Sequence, residues 1–74
     1  MNLEIKAPMP GKIASITVNV GSHVKEEDEV IIMDAMKMEI PVYTPCSGIV
    51  KEIKVKVGES VNEGQLLAVI YISK

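Results

Sequence analysis

Seventy-four residues with a net charge of −2 and a single cysteine make one small domain, spanning 1–74, in which no intrachain disulfide can form. The one histidine, His23, rules out a Cys/His zinc cluster, and the interspersed Lys and Glu leave no basic face for nucleic acid. Apolar residues make up 47% of the chain, but Tyr43 and Tyr71 are the only aromatics, so the core must be Val, Ile, Leu and Met.

No apolar run approaches the roughly 20 residues that span a bilayer. The opening MNLEIKAPMPG has Glu4 and two prolines where a signal peptide would be apolar, so a cytoplasmic setting is expected. A domain this small buries only about 60% of the surface its unfolded chain exposes. Partners or a very regular fold are the remaining sources of stability.

The first predicted strand covers 3–6, and Pro8 and Pro10 then punctuate the chain rather than join a ladder. Ile16, Val18 and Val20 alternate with Thr17 and Asn19, which predicts a strand with one buried face. Between Ile13 and Ile16 the parity slips by one, as a β-bulge would require. Gly21 ends this strand in a turn that uses glycine's access to positive φ. "VKEED" reads as a short strand and turn, and 30–33 as a buried strand. A helix through EEDEVIIMDAMKM competes locally, since Glu, Met, Ala and Lys are good helix formers.

The second half settles that competition. A shift of 37 positions lays 48–70 on 11–33 without a gap. Gly11 falls on Gly48, Ile16 on Ile53, Val18 on Val55, Val20 on Val57, Gly21 on Gly58, Val24 on Val61 and Glu26 on Glu63. Upstream, Leu3 falls on Ile40, Ile5 on Val42 and Pro8 on Pro45. The counterpart of the would-be helix includes LLAVIYI, and Pro41 would stop a helix soon after it began. The chain is therefore two copies of one β-rich unit, 1–37 and 38–74. Two copies bury their faces best against each other about a twofold axis, as a flattened barrel or sandwich of eight short strands.

The boundary between the copies falls between Lys37 and Met38, and its image is the place where Lys74 would meet Met1. In mid-chain this point must be a tight connection, so Lys37 lies at a β-hairpin tip far from the termini. A lysine on a tip is ordinarily a solvated turn residue. The neighbours are not ordinary, because tight hairpins favour Asn-Gly or Gly-X, whereas this one reads Ala35-Met36-Lys37-Met38. Two thioethers in water are costly and indicate a docking surface.

The stretch DAMKMEI resembles the Ala-Met-Lys-Met signature of biotinyl domains, the biotin carboxyl carrier modules of biotin-dependent carboxylases and decarboxylases. APMPGKI upstream and SGIVKEIKVKVGESVNEGQLL downstream look like the same family, so the resemblance covers nearly the whole chain. It implies two four-stranded antiparallel sheets with the modified lysine on the exposed hairpin. It also implies that Lys37 carries covalent biotin, and that Ala35, Met36 and Met38 form the surface presented to biotin protein ligase. The implied role is a non-catalytic one. The arm would shuttle CO2 as carboxybiotin between a biotin carboxylase and a carboxyltransferase or decarboxylase subunit, the isolated carrier being a monomer.

The chain departs from the family pattern in two ways. Asp34 stands where many members have Glu, which keeps the charge. The gapless repeat leaves no place for the inserted thumb of some carriers, which makes the chain similar to the thumbless type. Two rivals share the fold: a lipoyl domain, which typically has Asp-Lys-Ala at its tip, and an unmodified docking module. A direct enzyme is disfavoured, since there is no second histidine, no nucleophile with a base and no glycine-rich phosphate cradle. Of the remaining residues, His23 and the run 26–29 are expected in solvated turns and Tyr43 at an edge. Cys46, which maps onto Met9, is expected to be partly buried.

Overall fold

Ile13 and Val50 are almost fully buried while Lys12, Ala14 and Lys51 beside them are exposed, the pattern of a strand with one wet face. The computed structural model describes residues 1–72 and contains no helix among them; Ser73 and Lys74, the end of the second repeat, lie outside the described residues. Eight strands form: β1 (Asn2–Lys6), β2 (Gly11–Ile16), β3 (His23–Val24), β4 (Glu29–Ala35), β5 (Met38–Tyr43), β6 (Gly48–Ile53), β7 (Ser60–Val61) and β8 (Leu66–Tyr71). The segment that could have been helical is instead β4, paired with β2 on one side and β5 on the other.

The strands make two antiparallel four-stranded sheets, ordered β1-β8-β6-β3 and β5-β4-β2-β7. Each sheet takes two strands from each repeat, so neither copy completes a sheet alone. The 37-residue spacing persists in the hydrogen bonds. Asn19 N–H donates to Ser22 Oγ at 3.0 Å, and Lys56 N–H to Glu59 Oε1 at 3.1 Å. Lys25 N–H donates to Asp28 Oδ2 at 2.8 Å, and Asn62 N–H to Gln65 Oε1 at 3.1 Å. The side chains differ, yet each caps the same turn.

The expected bulges occur in both copies, between Ile13 and Ser15 in β2 and between Val50 and Glu52 in β6. Gly21 and Gly58 have φ of 92° and 90°, as the turns require. Two expectations need correction. The strands end at Ile16 and Ile53, earlier than alternation predicted, because the capped turns beginning at Asn19 and Lys56 draw the chain away from the sheet. Val20 and Val57 are consequently exposed, whereas Val55 remains in the core. Cys46 is exposed rather than partly buried. The Thr44 hydroxyl donates to the Cys46 carbonyl at 2.7 Å and accepts from its N–H at 3.4 Å, closing a local turn that leaves the thiol outside.

Ile13, Ile31, Met33, Leu67 and Ile70 fill the space between the sheets, and both tyrosines stay outside it. Each such side chain contributes about 1.5–3 kcal/mol on burial, enough in sum for a small domain without disulfide or metal. The molecule is elongated, 38 × 17 × 17 Å. Val61 of β7 lies beside Gly11, next to the β4–β5 connection, and β8 runs from Leu66 away from that end to Tyr71. There Ile72 N–H donates to the Met1 carbonyl at 2.8 Å, the image of the Ala35–Met38 pair. The hairpin tip and the described termini thus occupy opposite ends.

Candidate functional site

The register of β4 against β5 opposes Met33 to Ile40, Asp34 to Glu39 and Ala35 to Met38, leaving Met36 and Lys37 as a two-residue turn. Their φ values are 52° and 64°, both in the left-handed region. Such a turn matches the twist of the flanking strands, and Asn-Gly adopts it with ease. For an L-residue with a Cβ the left-handed conformation costs roughly 1–2 kcal/mol. This hairpin holds two such residues side by side.

The three methionines around the tip have different environments. Met33 is fully buried, but Met36 and Met38 are 85% and 64% exposed on either side of the exposed Lys37. The ion pairs among the described residues, Lys6–Glu4 and Lys54–Glu52, do not include Lys37. Its amine therefore projects into solvent between two apolar, deformable side chains. That arrangement suits covalent attachment of a long flexible group, because the lysine is exposed beside an open groove.

Ala35 differs from its neighbours. It is 4% exposed and lies beneath the turn, so it supports the tip from inside while Met36, Lys37 and Met38 form the accessible surface. Gly11, at the start of β2, is what makes room for it. A Cβ at Gly11 would lie 2.9 Å from the Asp34 carbonyl oxygen and 3.0 Å from the Ala35 Cβ. Close approach of backbone to backbone clamps the base of the hairpin.

Two further features escaped the sequence reading. Asp34 and Glu39 are directly opposed across the strands and both exposed, a like-charge pair that local stability does not favour. An open groove of about 570 Å³ runs along the foot of the tip, lined by Gly11, Lys12, Asp34, Met36, Lys37 and Ser60 among others. The register of β2 against β4 and β7 brings these residues together; Gly11, Asp34, Met36 and Lys37 had each left a mark in the sequence, whereas Lys12 and Ser60 join them only through the register.

Among the described residues, the other hollow and the potential metal ligands offer no rival to the tip. This second hollow of about 590 Å³ is lined by Glu27, Tyr43, Thr44 and Pro45, and the Thr44 hydroxyl there is engaged by the Cys46 backbone. No group of three or more His, Cys, Asp or Glu that could hold a metal occurs among the described residues. His23 is exposed but lies in strand β3 rather than in a turn, the acidic run 26–29 is exposed, and Tyr43 lies exposed on edge strand β5.

Comparisons with known proteins agree with this picture. The biotin/lipoyl family, described as "Biotin-requiring enzyme", matches residues 3–70. The biotin/lipoyl attachment protein of Bacillus subtilis is 42% identical over 65 residues, which cover 88% of this chain and 89% of that protein. The biotin carboxyl carrier protein of Streptococcus mutans is 44% identical over 64 residues, 86% of this chain and 49% of that one. Among solved structures, the urea carboxylase of Kluyveromyces lactis superimposes with a TM-score of 0.92 at 37% identity, covering 96% of this chain and 6% of that enzyme. The chain thus matches one relative over most of its length, but only about half of the carrier protein and a small part of the carboxylase. It belongs to the biotin/lipoyl attachment family, as a biotinyl domain.

Proposed function

We propose that Lys37 is the residue that carries biotin, and that the chain works as a biotin carboxyl carrier serving a biotin-dependent carboxylase or decarboxylase. The observation that carries this reading is the Met36–Lys37 turn. An amine free of ion pairs among the described residues stands at one end of an elongated barrel, between two exposed thioethers.

The protein's own contribution is presentation. A lysine ammonium must lose its proton before it attacks an activated carboxyl, and in this reading a biotin protein ligase provides the base. Met36 and Met38 offer that ligase adaptable apolar contact. Ala35 and Gly11 hold the turn in its shape. When attached, biotin supplies a ureido nitrogen able to carry CO2. The rigid sheets then keep the arm's root at one end while the described termini at the other leave room for a tether or a neighbouring domain. Tethering raises the effective concentration of the arm at each site it visits, a biotin carboxylase and then a carboxyltransferase or decarboxylase.

The reading is tested by incubating biotinylated chain with a biotin carboxylase, ATP and labelled bicarbonate. Label should stay with the protein and be absent from the unmodified chain. Equal labelling of both forms would overturn it.

A further inference from the structure

Below the tip, the strand register lines up one side chain from every strand of a sheet. Glu39 of β5 opposes Asp34 of β4, Asp34 opposes Lys12 of β2, and Lys12 opposes Ser60 of β7. All four are exposed, so they form a row on the outer face, one residue below the turn. Neighbours in such a row stand about 4.5–5.5 Å apart at Cβ.

The repeat supplies a control. Moving each residue by 37 gives Asn2, Tyr71, Ile49 and His23, which form the matching row of the other sheet through the same pairings. The backbone is equivalent at both ends, yet the tip end carries two carboxylates, an ammonium and a hydroxyl where the far end carries Asn, Tyr, Ile and His. The fold therefore does not demand this polar set. Nor does it use the charges internally: Lys12 and Asp34 are opposed but are absent from the ion pairs of the described residues.

We propose that this row is a resting ledge for the ureido head of the biotin borne by Lys37, with Asp34 accepting from a ureido N–H and Lys12 and Ser60 donating to the ureido carbonyl. The inference rests on attachment at Lys37. A cyclic urea offers two N–H donors and one carbonyl acceptor, and the ledge offers the complement. Lys37 itself lines the same groove as Asp34, Lys12 and Ser60, so the head need only fold back beside its own root. A short flexible tether supplies effective concentrations of the order of millimolar, enough for weak hydrogen bonds to matter. Amide formation also removes the charge of Lys37 and leaves Lys12 as the cation of the groove. The head then rests on one face of the hairpin until a partner with better contacts lifts it off.

The test compares amide NMR spectra of the 15N-labelled chain before and after biotinylation, once intact mass has established that biotin is present at Lys37. The ledge requires shifts at Gly11, Lys12 and Ser60 as well as at 35–39. In biotinylated Lys12→Ile, which takes the residue of the matching position 49, the Ser60 and Gly11 shifts on modification should be lost. Asp34→Asn should reduce them. Mass without biotin at Lys37 would remove the attachment reading itself. Biotin present, with shifts confined to 35–39, would remove the ledge and leave attachment standing.

Discussion

Gly11 and Ala35 are in near-contact across the β2–β4 pair, so close that a Cβ on Gly11 would lie 3.0 Å from that of Ala35. Gly48, the repeat counterpart of Gly11, is tighter: its Cβ would meet the Tyr71 carbonyl oxygen and approach Ile70 Cγ2 at 2.8 Å. Overpacking of this kind costs typically about 1–3 kcal/mol. Gly11→Ala should lower stability in urea melts and slow modification of Lys37, because it lifts the hairpin base. Gly48→Ala should lower stability more, and leave the modification rate of the remaining folded protein unchanged.

The left-handed turn separates stability from recognition. Met36 is exposed, so Met36→Gly loses no packing and relieves a strained φ. Its melting temperature should rise, by an amount corresponding to roughly 1 kcal/mol less the entropy that glycine adds to the unfolded chain, while the rate of ligase modification falls with loss of the thioether. Thermal denaturation and a timed biotinylation assay check the two halves. A parallel fall in both would show that Met36 serves only the fold.

Glu27 gives an independent measure of the same strain. Its φ is 71°, and its counterpart 37 residues on is Gly64, with φ of 82°. Glu27→Gly should stabilise by about 1 kcal/mol against the unfavourable left-handed conformation, less the entropy that glycine adds to the unfolded chain. Because Glu27 lies far from the tip in sequence and outside its groove, modification of Lys37 should be unaffected.

Met33 in β4 and Met36 in the turn that follows it have opposite fates. Met33 is fully buried between the sheets, and its replacement by Ala should cost about 2–5 kcal/mol, a large share of the stability of a domain this size. Guanidinium titration of Met33→Ala should show a midpoint far below that of wild type.

The repeat made most of this fold legible. Matching glycines, matching parity slips and the boundary at Lys37 all follow from one 37-residue shift, and they specify strands, bulges and tip together. What escaped was set by local chemistry that periodicity does not register. Val20 continues the alternation of Ile16 and Val18, but it lies inside the turn that Ser22 caps from Asn19, and the valine ends outside. Cys46 occupies the position of Met9, but Thr44 closes a turn that turns it outward. The groove at the foot of the tip joins residues from β2, β4 and β7, and that register exists only once both copies are interleaved.

In the proposed function, one lysine at the hairpin tip takes one biotin. The most direct measurement is the intact mass of the chain after incubation with biotin, ATP and a biotin protein ligase, beside Lys37→Arg treated identically. One biotinyl increment on the wild type and none on Lys37→Arg is the expected result. No increment on the wild type, under conditions that modify a known carrier, or an equal increment on both, would contradict the account.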